Sequence, residues 1–358
     1  MKYINILTIH KEPNYGACLQ AYALYHKIEE LGGHPRMIDL SMDYRTHPYN
    51  FTYRLITSIY HYLRGYDYCY NKASEFSEKY CPNRIGPFYT YEQLKECKWN
   101  PEDCFMVGSD QVWNPDITLN LSNAFNFSFL ASNILTRCSY ASSIGYIKDE
   151  AEYMRRFNID ALRQFKKIGV RENFAVEFLA KHGLKATEVI DPTLLLDNYD
   201  EIIGEVEEPT EEEPYILYLS LGENSKMNEF ANKIAKERGL QIVKHYGYIQ
   251  PDRRTNHKFI SVQEWLRKIK NASIVVTDSF HATVFSILFR TPFYVYLTSP
   301  LKASRIENLL NALDIKERLY TEIKSIGQDE IDFNNAHKLL NEYRCGSLSF
   351  LKSLVENS

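Results

Sequence analysis

At 358 residues, with 44% hydrophobic and 25% charged side chains, the chain has the make-up of an ordinary globular protein, which excludes intrinsic disorder as its main state. Lys and Arg number 42 against 46 Asp and Glu, a net charge of -4, so no overall basic field exists to hold nucleic acid. The length suits two domains, each large enough to bury a core of its own.

The first 42 residues read as a βαβ opening. Residues 3–9 form a strand, Asn14-Tyr15-Gly16-Ala17 a turn, 19–31 a helix with apolar residues every three or four positions, and 34–40 a second strand. A parallel sheet covered by helices follows from that order. The segment 43–99 differs: it is rich in Tyr, Phe and Lys, and it reads as an insertion of helices and loops rather than strands. Strands resume at 104–107, 137–141, 167–170 and 187–190, with a helix over about 149–165.

The run Glu207-Glu208-Pro209-Thr210-Glu211-Glu212-Glu213-Pro214 cannot bury apolar surface. It is the expected boundary between an N-terminal α/β domain over 1–206 and a C-terminal one over 215–330. In the latter, strands are expected at 215–221, 240–245, 273–277 and 293–297, with helices over 226–238 and from about 279; a helical tail occupies 331–358. Two successive α/β domains place ligands in the cleft between them, at the carboxyl ends of their strands.

Seven cysteines, an odd number without a C-x-x-C pair, read as reduced thiols, and their spacing without flanking histidines offers no zinc site. The N-terminus lacks the apolar run of a signal peptide, and no stretch approaches the length that spans a bilayer. A cytoplasmic location is expected, with peripheral contact at the inner face of a membrane left open.

Several groups can carry chemistry. In Thr277-Asp278-Ser279-Phe280-His281-Ala282, a buried strand hands over to a helix. The unpaired N–H groups of its first turn suit a phosphate or carboxylate, and His281 can move a proton there or merely pack. Arg171 follows a strand, where its guanidinium can fork onto an anion or pair with Glu172. Lys302 and Arg305 offer two more cations after the 293–297 strand, or solvated loop charge. Gly108-Ser109-Asp110-Gln111-Val112-Trp113-Asn114 can hydrogen-bond sugar hydroxyls and stack an indole on a sugar face, or form a tight turn. The chain's 27 Tyr, 19 Phe and 3 Trp fit either sugar stacking or core packing. No G-x-G-x-x-G, P-loop, G-x-S-x-G or H-E-x-x-H motif occurs, which removes the common dehydrogenase, nucleotide hydrolase, serine hydrolase and zinc protease readings.

Taken in order, Asn14-Tyr15-Gly16-Ala17-Cys18-Leu19-Gln20, the Gly108 to Asn114 run, Tyr140-Ala141-Ser142-Ser143, Val170-Arg171-Glu172, Asp191-Pro192-Thr193-Leu194-Leu195 and the Thr277 to Ala282 run resemble the polysaccharide pyruvyl transferase family. The resemblance extends from residue 3 to about 320. It implies two Rossmann-like domains in a GT-B-like arrangement. It also implies an enzyme that transfers the enolpyruvyl group of phosphoenolpyruvate onto sugar hydroxyls as a ketal in surface polysaccharide biosynthesis. Phosphoenolpyruvate would be the co-substrate, with no metal and no further cofactor, and the acceptor a glycan or a lipid- or nucleotide-linked sugar.

On the same resemblance, the donor is bound by Arg171, His281, Lys302 and the neighbouring Ser279, with His281 catalytic. The acceptor falls to Asn14, Gln111 and Trp113, with Asp110 as base. Two departures from the family pattern matter: members tend to carry Ser-Arg-Leu-His where this chain has Asp278-Ser279-Phe280-His281, so that Ser279 stands for an arginine, and an aspartate where it has Ala17. Those departures keep two other readings in view, a GT-B-like glycosyltransferase using a nucleotide sugar and a non-catalytic glycan-binding member.

Overall fold

The computed structural model describes residues 2–42, 66–204, 213–222, 224–246, 260–297, 300–320 and 330–357, without the side chains of 66, 67, 246 and 300–304. The first part of the expected insertion, most of the 207–214 linker and the side chain of Lys302 therefore lie outside the described residues.

The N-terminal half carries β1 (Ile4–Leu7), α1 (Tyr15–Glu30), β2 (Pro35–Leu40), α2 (Tyr66–Tyr80), β3 (Arg84–Phe88), α3 (Tyr91–Glu96), β4 (Cys104–Val107), α4 (Pro115–Thr118), β5 (Arg137–Ser142), α5 (Glu150–Arg156), β6 (Lys167–Val170), α6 (Asn173–Lys181), β7 (Thr187–Glu188) and α7 (Asp200–Ile203). Its strands form a parallel sheet in the order β3-β2-β1-β4-β5-β6-β7. The C-terminal half adds β8 (Tyr215–Ser220), α8 (Ser225–Arg238), β9 (Gln241–Tyr246), α9 (Val262–Asn271), β10 (Ile274–Thr277), α10 (Phe280–Leu288), β11 (Phe293–Tyr296), α11 (Pro300–Ala312), β12 (Leu319–Tyr320) and α12 (Phe333–Val355). Its parallel sheet runs β12-β11-β10-β8-β9.

Both sheets are covered on two faces, which is why β1, β4, β8, β10 and β11 are buried along their whole length and read as apolar runs. Each sheet reverses its strand order once, between β1 and β4 in the first and between β8 and β10 in the second. Crevices open at the carboxyl ends of such pairs, because the following helices depart to opposite faces.

The two halves share an apolar cluster, and each has a second one of its own. The shared cluster runs from Ile4, Leu19 and Leu24 through Leu195 to Trp265, Phe285 and Leu310. Helix α1 sits in its middle, buried at every position from Gly16 to Tyr25, the pattern of a helix with protein on all sides. The Tyr15 ring stacks on Trp265 at 5.5 Å, and the Tyr15 hydroxyl donates to the Ile260 carbonyl at 3.0 Å. Helix α12 ties the halves a second time: Ser347 Oγ accepts from the Ile190 amide at 3.0 Å, and His337 Nε2 lies 2.8 Å from the Ile287 carbonyl.

Two expectations need correction. Asn14-Tyr15-Gly16-Ala17 is not a turn before a helix: α1 begins at Tyr15, and Asn14 caps it by accepting from the amides of Gly16 and Ala17. The segment 43–99 is not free of strands, since Arg84–Phe88 pairs in parallel with β2. Gly86 and Pro87 masked that strand, being depleted from sheet interiors. A proline is tolerated here because β3 is the last strand of its sheet, with a neighbour on one side only.

Candidate active site between the two sheets

The two switch points face each other across a cavity of about 410 Å3. The N-terminal half lines it with Ile9, Glu12 and Asn14 after β1, and with Asp110 and Gln111 after β4. Leu221 after β8 and Arg305 of α11 close it from the C-terminal half. A smaller hollow adjoins it, where Asn14 and Gly16 meet Ser220, Trp265 and Ser279.

The β1 and β4 loops are shaped by one buried amide. Gln20 of α1 donates to Thr8 Oγ1, to the Ile9 carbonyl and to the Ala17 carbonyl, each at 2.9 Å, while its Oε1 accepts from the Ser109 amide at 3.1 Å. Asp110 follows with φ of 69°, a left-handed conformation that aspartate tolerates better than bulkier residues. Its carbonyl accepts from the Ser143 amide and its Oδ1 from the Gln111 amide at 2.8 Å. Gln111 Oε1 in turn accepts from Asn114 at 2.8 Å.

Behind this wall lies a buried cluster of charge. Arg171 leaves the end of β6 and donates through Nη1 to Asp191 Oδ2 at 2.5 Å; its Nη2 is 3.5 Å from Asp110 Oδ1 and its Nε 4.0 Å from Glu172 Oε1. Asp191, wholly buried, also accepts from the Ser109 hydroxyl at Oδ2 (3.4 Å) and, at Oδ1, from the Thr193 amide at 3.0 Å and the Thr193 hydroxyl at 2.6 Å. His281 Nε2 approaches Asp191 Oδ2 to 3.6 Å from the first turn of α10.

Burial by itself would raise the Asp191 carboxyl, but His281, Arg171 and Thr193 together hold it well below the usual carboxylate range. Glu172 goes the other way: burial lifts it above its ordinary value, and Arg171, Arg305 and the Ser143 hydroxyl only partly oppose that.

His281 belongs to the C-terminal half but rests on α1 of the N-terminal half. A Cβ added to Gly16 would fall 2.0 Å from His281 Nδ1 and 2.4 Å from its Cγ. The absent side chain of Gly16 is therefore the space that the imidazole fills. Ser279 caps α10, its hydroxyl accepting from the Ala282 amide at 3.4 Å. Phe280 presents its ring to two cations, with the Arg171 guanidinium 5.1 Å and the Arg305 guanidinium 5.6 Å from the ring centroid.

Asn14, Asp110 and Gln111 thus line the interdomain cavity, Ser279 lines the hollow beside it, and Arg171 and His281 meet at Asp191 behind it, although the sequence spreads these residues from 14 to 281. Trp113 does not join them, which corrects the expectation that its indole stacks on a sugar. It is 0% exposed, donates through Nε1 to the Phe125 carbonyl at 2.9 Å, and packs on Phe157 and Phe165 in the core on the far side of the sheet. Trp113→Phe is expected to lower the unfolding free energy by about 1–3 kcal/mol, from lost ring volume and an unpaired carbonyl. In urea denaturation that loss should appear while ligand affinity stays unchanged. Arg305, offered by the sequence as a cation after the 293–297 strand, does line the cavity. Asp191, Glu172 and Phe280 are site residues to which the sequence assigned no role of their own, and their positions inside the ordered runs of residues were the available signal.

The family model of the polysaccharide pyruvyl transferases matches residues 14–300, a span that holds Asn14, Asp110, Arg171, Asp191 and His281. The chain belongs to this family. It is accordingly a transferase, built as two Rossmann-like domains in a GT-B-like arrangement. A similar fold occurs in the UDP-GlcNAc 2-epimerase of Methanocaldococcus jannaschii, with a TM-score of 0.51 and 11% identity over 96% of this chain and 93% of that one. A protein of Listeria monocytogenes, proposed to be a UDP-N-acetylglucosamine 2-epimerase, gives a TM-score of 0.51 and 11% identity over 98% and 91%. At these identities the likeness concerns the fold alone. No curated protein sequence matches this pyruvyl transferase family member. Among its described residues, no helix is long and apolar enough to cross a membrane, and no group of three or more His, Cys, Asp or Glu is placed to hold a metal ion.

Proposed function

We propose that this enzyme transfers the pyruvyl carbons of phosphoenolpyruvate to two hydroxyls of a sugar, forming a cyclic ketal during surface polysaccharide assembly. The observation that carries the reading is the convergence of His281, Asp191 and Arg171 from both halves of the chain beside the interdomain cavity.

Phosphoenolpyruvate brings a phosphate and a carboxylate, which the N–H groups of the α10 terminus and the guanidiniums over Phe280 would offset. His281, oriented by Asp191, delivers a proton to the methylene carbon, which becomes the methyl group and leaves cationic character at C2. The first sugar hydroxyl adds to C2 as Asp110 receives its proton. The C2–O bond to phosphate then breaks with its electron pair, and the second hydroxyl closes the ring. Two C–O bonds form and one breaks. Of the two hydroxyl protons, one balances that placed on carbon and the other leaves with inorganic phosphate.

On the acceptor side, Asn14, Asp110 and Gln111 supply hydrogen-bonding groups to the cavity. Tyr146 connects it to a second hollow of about 170 Å3 lined by Asp116, Lys148 and Arg156, room for a sugar beyond the one modified.

Incubation with phosphoenolpyruvate and a panel of lipid- and nucleotide-linked sugars tests the reading, with phosphate release and the product mass as readouts. Ketal formation is expected, and His281→Gln should lower turnover by about 10²–10⁴-fold. Turnover of a nucleotide sugar without phosphoenolpyruvate would replace the reading with glycosyl transfer.

A further inference from the structure

We propose that Arg305 is the side chain by which the cavity grips an anionic group of phosphoenolpyruvate; the inference rests on the pyruvyl-transfer reading and assigns its donor contact. Two guanidiniums lie over the Phe280 ring, and they differ in what holds them. Arg171 has a side chain only 3% exposed and is surrounded by the carboxylates of Asp191, Asp110 and Glu172. Its Nη1 is taken by Asp191, and it opens only onto a hollow of about 20 Å3 behind the cavity, too small for an anion. Arg305 lines the cavity, and no carboxylate of the described residues lies within ion-pair distance of it.

That placement is unfavourable for the unliganded protein. Partial burial and the like charge of Arg171 both act against the Arg305 cation, and the three carboxylates compensate only from a distance. An aromatic ring takes up no N–H donor of a guanidinium beside it, so these remain available to a carboxylate or phosphate, which a guanidinium can receive through two parallel hydrogen bonds. Phe280 precedes His281 in α10, so an anion held on Arg305 is brought to the part of the site where the imidazole sits. Arg171, closed in by its carboxylates, then fixes Phe280 and the floor of the site, while Arg305 makes the contact.

Calorimetric titration of phosphoenolpyruvate into the full-length wild type, Arg305→Ala and Arg305→Met tests this. Methionine keeps an apolar stem on Phe280 and removes the charge, which guards against a packing effect mistaken for a binding one. Affinity is expected to fall at least tenfold in both variants, with the unliganded melting temperature of Arg305→Met close to that of the wild type. Wild-type affinity in Arg305→Met would overturn the assignment and leave pyruvyl transfer standing. Absence of phosphoenolpyruvate binding in the wild type would overturn both.

Discussion

Replacing Asp191 with alanine is expected to lower stability by about 3–5 kcal/mol, the cost of leaving a buried charge without its partner. The carboxylate is wholly buried and holds Arg171 at 2.5 Å, Thr193 through two bonds, and His281 at 3.6 Å. Alanine removes all of these together and leaves the Arg171 guanidinium against Asp110 and Glu172 at 3.5 and 4.0 Å. Since whole domains are stable by only about 5–15 kcal/mol, Asp191→Asn is the better-behaved companion, keeping the shape and removing the charge.

The pH dependence carries a definite sign. Asp191 is held below its ordinary value in the folded protein, so its contribution is fully present above the unfolded value of about 3.9 and is lost as pH falls further towards the depressed folded one. The difference in urea midpoint between wild type and Asp191→Asn should therefore be widest near neutrality and narrow below about pH 4. A difference that stayed constant down to the acid limb would show that the carboxylate is not the stabilising form. Asp39, also depressed by His10 and Lys11 against the effect of its burial, adds a second contribution of the same sign. Glu172, raised by burial, contributes the opposite way and is lost as pH rises through its folded value.

How much of this was legible beforehand follows from where each residue sits. Buried parallel strands are short apolar runs, so Cys104–Val107 and Lys167–Val170 could be read directly, and Arg171 and His281 stood out because each follows such a run. Asp191 carries no comparable local signal. Its value comes from Arg171 and His281, which reach it from strand ends 20 and 90 positions away. Arg305 looked like a solvated loop cation because sequence does not reveal that α11 turns it over Phe280. Trp113 failed for the converse reason: a polar loop suggested exposure, while the strand-to-helix connection directs the indole into the core. Local pattern shows which elements exist, but it does not show which face of a loop meets the other half of the chain.

Gly16→Ala is expected to lower turnover by about 100-fold, the order of effect that a displacement near 1 Å has on an aligned catalytic group, while the fold is retained. Gly16 lies in the first turn of α1 without a left-handed backbone angle, so nothing in its own conformation demands glycine, and alanine is the better helix former. What alanine meets is His281, with Nδ1 at 2.0 Å and Cγ at 2.4 Å from the new methyl group. Those atoms belong to a ring anchored close to its own backbone, so the imidazole must swing away from Asp191 or α10 must withdraw from α1. Either movement separates the imidazole, the proposed proton donor, from the Asp191 carboxylate beside it. A double-mutant cycle isolates the cause: with His281→Ala in place, the methyl group has an empty space to enter, and Gly16→Ala should then cost no stability and no further activity. If Gly16→Ala alone left turnover intact, the contact between α1 and His281 would be packing without consequence for the chemistry. If it abolished turnover equally in the His281→Ala background, measured as residual activity, its effect would run through α1 rather than through the imidazole.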